Sequence, residues 1–172
     1  MLLKFIKSLL FISLILILIP FSVSSNENLE SIGKFKDWET LALTENNNKV
    51  CFAQSIPILR APKNFERDPS RLFISFRPNE NIKDEISVTT GYAFQKESIV
   101  KAKSGKKTFD FFSQENFAWI LENEEEQKFI KTMKKASRVM IIGRTDKGKQ
   151  TIDHYSLMGF SKAYDAAKKN CS

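Results

Sequence analysis

The sequence predicts a mainly β fold: an antiparallel β-sandwich or flattened barrel with one internal helix and a C-terminal helix. Three observations carry this expectation. About eight short runs alternate apolar and polar residues with the period of two of a half-buried strand. Turn signals of Gly, Asn, Asp or Pro separate these runs, and helical spacing is confined to residues 123–136 and 160–170.

Residues 26–34 are polar and are expected to form a flexible leader. The first strand is read over 37–44 (D-W-E-T-L-A-L-T), and a Glu-Asn-Asn-Asn turn returns the chain through 49–55, which carries Cys51. Residues 56–70 hold three prolines, which donate nothing to a ladder, so they are expected as a loop. Its length makes that loop a candidate binding element. Leu72, Ile74 and Phe76 alternate along 71–77, and Pro78 ends the run. Segments 85–90 and 92–94 are β-rich and read as one strand bent at Gly91. Ser104-Gly105-Lys106 joins 98–103 to 107–113 as a hairpin, with Phe109 and Phe111 facing one way and Phe112 the other. After the apolar run 117–120, Asn123 is placed to cap a helix with Glu126 at its third position. Glu124 and Glu125 then fill the positive first turn, and Phe129, Ile130 and Met133 mark the packed face. Residues 137–144 and 150–157 flank Asp146-Lys147-Gly148-Lys149 as a last hairpin. Gly159 then breaks the alternation, and Phe160, Ala163, Tyr164 and Ala167 recur at i, i+3, i+4 and i+7 of a terminal helix.

The N-terminus reads as a signal peptide over residues 1–25. Lys4 and Lys7 give the positive n-region, 8–21 is apolar apart from two serines and Pro20, and Val23-Ser24-Ser25 places cleavage between Ser25 and Asn26. An uncleaved anchor is the alternative, since the uncharged run 8–26 is just long enough to span a bilayer. Removing 25 of the 172 residues leaves 147, one domain over 35–172 after the leader, and takes the formal charge from +7 to +5. Lysines are scattered along this domain, which reads as a solvated surface. The sharper reading is a patch for an anionic glycan or lipid, clustered only at Lys101, Lys103, Lys106 and Lys107. Export places two cysteines in an oxidising compartment, and no C-x-x-C motif is present, so Cys51 and Cys171 are expected to pair.

Catalytic chemistry has one candidate. His154, the single histidine, follows Asp153 and precedes Ser156 by two, which suggests a periplasmic hydrolase. Neighbours on a strand point to opposite faces, however, and a triad normally gathers its members from separate elements, so no catalytic assignment follows. One histidine without other soft ligands seeds no zinc site. Lys147-Gly148-Lys149 is a turn and not a phosphate cradle, so no cofactor or metal is expected. Trp38 and Trp119 are expected in the core, with the alternative that one lines a ligand groove under the 56–70 loop as a lid.

Several blocks in order resemble the invasion-associated locus B family of exported α-proteobacterial proteins. They are the Trp38 strand, C-F-A-Q-S-I-P from Cys51, E-I-S-V-T-T-G-Y-A-F from Glu85, Ala118-Trp119, M-K-K-A from Met133, and T-I-D-H-Y-S-L-M-G-F-S-K-A-Y running to Cys171. The resemblance implies a periplasmic or secreted β-rich domain with no established enzymatic mechanism. Many relatives carry a cysteine near the end of the first strand, where this chain has Ala42-Leu43-Thr44, and that departure supports the long-range Cys51–Cys171 pair. The expectation is therefore a non-catalytic module that binds an envelope protein or an anionic surface glycan or lipid. No nucleic-acid partner, and no membrane span after cleavage, is expected.

Overall fold

Alternation of buried and exposed side chains runs through most of the chain, and the backbone answers it with strands. The computed structural model describes residues 28–45 and 48–171. The expected signal peptide and its Ser25/Asn26 cleavage site lie outside them. The strands are β1 (Asn28–Phe35), β2 (Trp38–Glu45), β3 (Asn48–Ser55), β4 (Leu59–Ala61), β5 (Arg71–Arg77), β6 (Ile82–Thr89), β7 (Ile99–Ser104), β8 (Lys107–Gln114), β9 (Phe117–Trp119), β10 (Arg138–Arg144) and β11 (Gln150–Ser156). The helices are α1 (Asn123–Met133) and α2 (Phe160–Asn170).

All strand pairs are antiparallel, and the described strands form one sheet in the order β1-β2-β3-β5-β6-β9-β8-β7-β10-β11-β4. Its edges, β1 and β4, are unpaired with each other, so the sheet is open and the expected β architecture is met as a flattened sandwich. The sheet curls round one core. The indole Nε1–H of Trp38 on β2 donates to the Ser156 carbonyl at the end of β11, 2.9 Å away, and the Asp37 amide donates to Met158. Gly159 stands where the two ends meet: at φ +95° a Cβ there would lie 1.8 Å from the Phe35 carbonyl oxygen.

Helix α2 packs over β1, β2, β3 and β5. Thr40 donates to the Ala163 carbonyl, and Phe160 meets Trp38 edge-on with ring centroids 4.9 Å apart. Cys171, just past the helix, is bonded to Cys51 with a Cα separation of 5.8 Å. Helix α1 fills a gap. β9 pairs with β6 only at Ser87–Thr89 and with β8 only at Phe112–Gln114, and past that point α1 sets Phe129 against Phe109 and Phe111. The orphaned Ile86 amide of β6 donates to the Glu126 carboxylate of α1, 2.6 Å away.

Four expectations are corrected. The leader expected over 26–34 is strand β1 from Asn28 onward: Ile32 and Phe35 pack against the core, and a bulge between Ser31 and Gly33 breaks the alternation that would have announced a strand. Within the proline loop, Leu59–Ala61 forms edge strand β4 on β11. Residues 92–94 do not continue β6, which starts earlier, at Ile82; Phe94 makes only an isolated bridge to Thr145. Asn123 does not cap α1. It is the first helical residue, the capping position is Glu122 without a side-chain bond, and Glu126 serves Ile86 instead.

Candidate functional site

The hydrolase reading required Asp153, His154 and Ser156 to converge, and the strand keeps them apart. Asp153 points inward, fully buried, and accepts a two-pronged pair from the guanidinium of Arg67, itself 1% exposed; one arm is 2.9 Å. Arg67 also donates to the Thr90 carbonyl at 2.7 Å and lies over the Tyr92 ring. His154 lies on the outer face between Met140 and Leu59 of the neighbouring strands. The Ser156 hydroxyl accepts the Met158 amide. Among the described residues no hydrogen bond joins His154 to either partner, and no group of three or more His, Cys, Asp or Glu is placed to hold a metal ion.

The proline loop is occupied in the same way. Arg60 donates to the Asp68 carbonyl at 2.6 Å, Arg67 is locked to β11, and the chain at Asp68 approaches Gly91 so closely that a Cβ there would lie 2.0 Å from a carbonyl oxygen. Most of the loop is a packed strap along β11; its first residues, Ile56 to Ile58, line a small cleft with Trp38, which is itself sealed beneath it, and none of the loop covers the groove beside Trp119.

A different surface has the features of a site. The outer face of the sheet, opposite the core, carries one cross-strand row: Gln54 pairs with Phe73, Phe73 with Ser87, Ser87 with Trp119, Trp119 with Phe112 and Phe112 with Ile99. At the usual strand spacing the row is roughly 24 Å long. Ser75 and Ser87 are small, so they form the floor of a groove of about 670 Å³ between Phe52 and Phe73 on one wall and Phe117 and Trp119 on the other. Edge-to-face contacts hold the walls: Phe52 to Phe73 at 6.2 Å and Phe112 to Trp119 at 5.5 Å. Phe112, Phe117 and Ile99 are 43%, 47% and 51% exposed. Four of the row's six positions, Phe73, Trp119, Phe112 and Ile99, are apolar, although they lie on the outer face of the sheet.

Polar groups close the ends. Arg77 grips Glu85 through two bonds of 2.9 and 2.8 Å and Glu80 through a third, and these carboxylates raise its pKa above the ordinary arginine value. Gln114, Glu115 and Asn116 form the other end. No protein-family model, curated protein or solved structure matches this chain. The site is therefore argued from its geometry alone. Flat aromatic faces and planar hydrogen-bonding side chains surround a shallow slot, a set of groups suited to stacking and hydrogen bonding.

Sequence reasoning expected Trp119 in the core, with a groove-lining tryptophan as the alternative; Trp119 meets the alternative without the 56–70 lid, and the row itself was missed. The signal was present: Phe52, Phe73, Phe112, Phe117 and Trp119 all sit at the outward positions of their strands, where alternation predicts polar residues. Trp38, in contrast, is the core residue expected, 1% exposed.

Proposed function

We propose that this chain is an exported, periplasmic or secreted, non-catalytic module that binds a glycan of the cell envelope along its outer aromatic groove. The observation that carries the reading is the Phe73–Ser87–Trp119–Phe112 row, with the small Ser87 between large rings. The C–H faces of a sugar ring are attracted to the electron-rich face of an aromatic ring, while its hydroxyls need planar donors and acceptors such as Gln114, Asn116, Arg77 and Glu85 at the rim. Export is supported by the charged, apolar and small-residue regions of the N-terminus and by the Cys51–Cys171 bond. The resemblance to the invasion-associated locus B family supports the same placement, and a role in host invasion is not part of the proposal. The described residues include no helix long and apolar enough to cross a membrane.

Tryptophan fluorescence tests the reading, because Trp38 is sealed in the core and Trp119 is at the groove. Oligosaccharides released from the protein's own envelope should alter Trp119 emission. Trp119→Ala and Phe73→Ala should each weaken binding by about tenfold or more while keeping a single cooperative unfolding transition. His154→Ala should bind as the wild type does. Wild-type affinity in the Trp119→Ala protein would overturn the groove assignment.

A further inference from the structure

The glycan reading leaves the charge of the ligand open, and the other end of the same face bears on it. β7 and β8 run from the aromatic row to their turn at Gly105, and the outward positions change in character along the way. Ile99 gives way to Lys101 and Lys103 over four residues, roughly 13 Å of strand, and Lys106 and Lys107 follow at the tip. The fold then adds to this tip a second basic segment that is remote in sequence. Lys107 donates to Thr132 in the last turn of α1, and Ser104 donates to the Arg138 carbonyl at 3.0 Å, which sets Arg138, Lys131 and Lys135 beside the hairpin.

Six cations, Lys103, Lys106, Lys107, Lys131, Lys135 and Arg138, are exposed at this pole, and none takes part in a salt bridge among the described residues. At the pole the carboxylates are engaged: Asp110 pairs with Lys101 and Glu125 with Lys128. Glu122 and Glu124 belong to the opposite, N-terminal end of α1, where Glu122 lines a cleft with Ile99, Lys101 and Phe112, and Glu115 stands at the far end of the aromatic groove. Lys134, the remaining cation of that helix end, is used internally, bonded to Asp165 and seated 3.9 Å from the Tyr164 ring centre. Cations grouped without carboxylate partners raise the local concentration of anions.

Resting on the groove assignment, we infer that the ligand is an acidic polysaccharide: its sugar rings lie along the Phe73–Trp119–Phe112 row, and its carboxylate, sulfate or phosphate groups reach the basic pole. Continuity between the two parts favours a linear chain over a bilayer. Phe52, Phe73 and Trp119 are half-buried in the groove walls, where a narrow chain enters and a flat lipid surface does not. The pole alone would suit any anion; the row alone would suit a neutral sugar. Together they select a polymer that is both.

The test uses the exported protein and four probes: oligogalacturonate, its neutral methyl ester, heparin oligosaccharide, and phosphatidylglycerol vesicles. An acidic oligosaccharide should bind, with affinity falling as salt is raised, and at least about tenfold more tightly than the methyl ester. Lys106→Glu/Lys107→Glu should lose about tenfold and flatten the salt dependence, and Lys131→Glu/Lys135→Glu should do likewise. Thermal unfolding of each variant shows that the fold is kept. Equal binding of the neutral ester, unchanged by charge reversal, would overturn the acidic-ligand inference while leaving the groove intact. Binding that needs the lysines but is indifferent to Trp119→Ala, or that is strongest on vesicles, would overturn both in favour of a membrane-docking pole. Absence of binding to both acidic oligosaccharides would also overturn the inference.

Discussion

Trp38 and Trp119 are both strand tryptophans, yet one is a keystone of the core and the other a wall of the groove. What separates them is which face of its strand each occupies, and only the pairing register settles that. Glu126 makes a related point. In sequence it is the third acid of a helical first turn; in the fold it is 7% exposed and carries the Ile86 amide. Burial chiefly, with Glu85 and Asp84 nearby, pushes its carboxyl up from 4.5 to about 7, and the bond from Ile86 only partly offsets this. Between those two values the native state holds a proton that the unfolded chain has lost, so this group makes stability fall as pH rises through that window. The expected outcome is that Glu126→Gln removes that slope: the wild type loses stability relative to the variant from pH 4.5 to about 7, and the difference is constant above and below. Chemical denaturation at half-unit pH intervals measures it. A wild type that gains on the variant across the same window would show that the carboxyl is held ionised.

At the scale of elements, α2 depends on its last residue. Cys171 lies just beyond the helix, and its bond to Cys51 in the middle of β3 ties the terminal helix to the first hairpin. Cys171→Ser should lower stability by about 2–5 kcal/mol and increase amide exchange in the last turns of α2, with a single free thiol appearing at Cys51. A variant as stable as the parent would mean that Trp38, Phe160 and Thr40 suffice to dock the helix. Most elements were legible because their signals are local. β5 occupies 71–77 as alternation predicts, the β7–β8 hairpin turns at Gly105, and α2 follows its i, i+3, i+4 pattern. β1 was hidden because a bulge interrupts its period. β4 and β9 have three residues each and owe their existence to the strands beside them. The cap of α1 was misread because a carboxylate at the third helical position serves a neighbouring strand when that strand has lost its own partner.

At the scale of the molecule, export is the expectation that governs the rest. Intact mass of the protein recovered outside the cytoplasm should correspond to a chain beginning at Asn26 with both thiols oxidised; a species beginning at Met1 in the membrane fraction would refute cleavage. Composition, the strand periods and the cysteine pair are properties of the sequence by itself, and they determined a mainly antiparallel β domain with two helices and a Cys51–Cys171 pair; the N-terminal pattern set the expectation of export. The groove and the basic pole were decided only by the tertiary structure. Six strands contribute the aromatic row and its floor, and strand order brings β9 between β6 and β8, which no local signal encodes. Lys107 and Thr132 likewise meet only because α1 fills the space that β9 leaves beyond Trp119. Strand periodicity is a short-range property of the chain, whereas register between distant strands follows from burying one shared core, so the surface chemistry it assembles appears only once that core is closed.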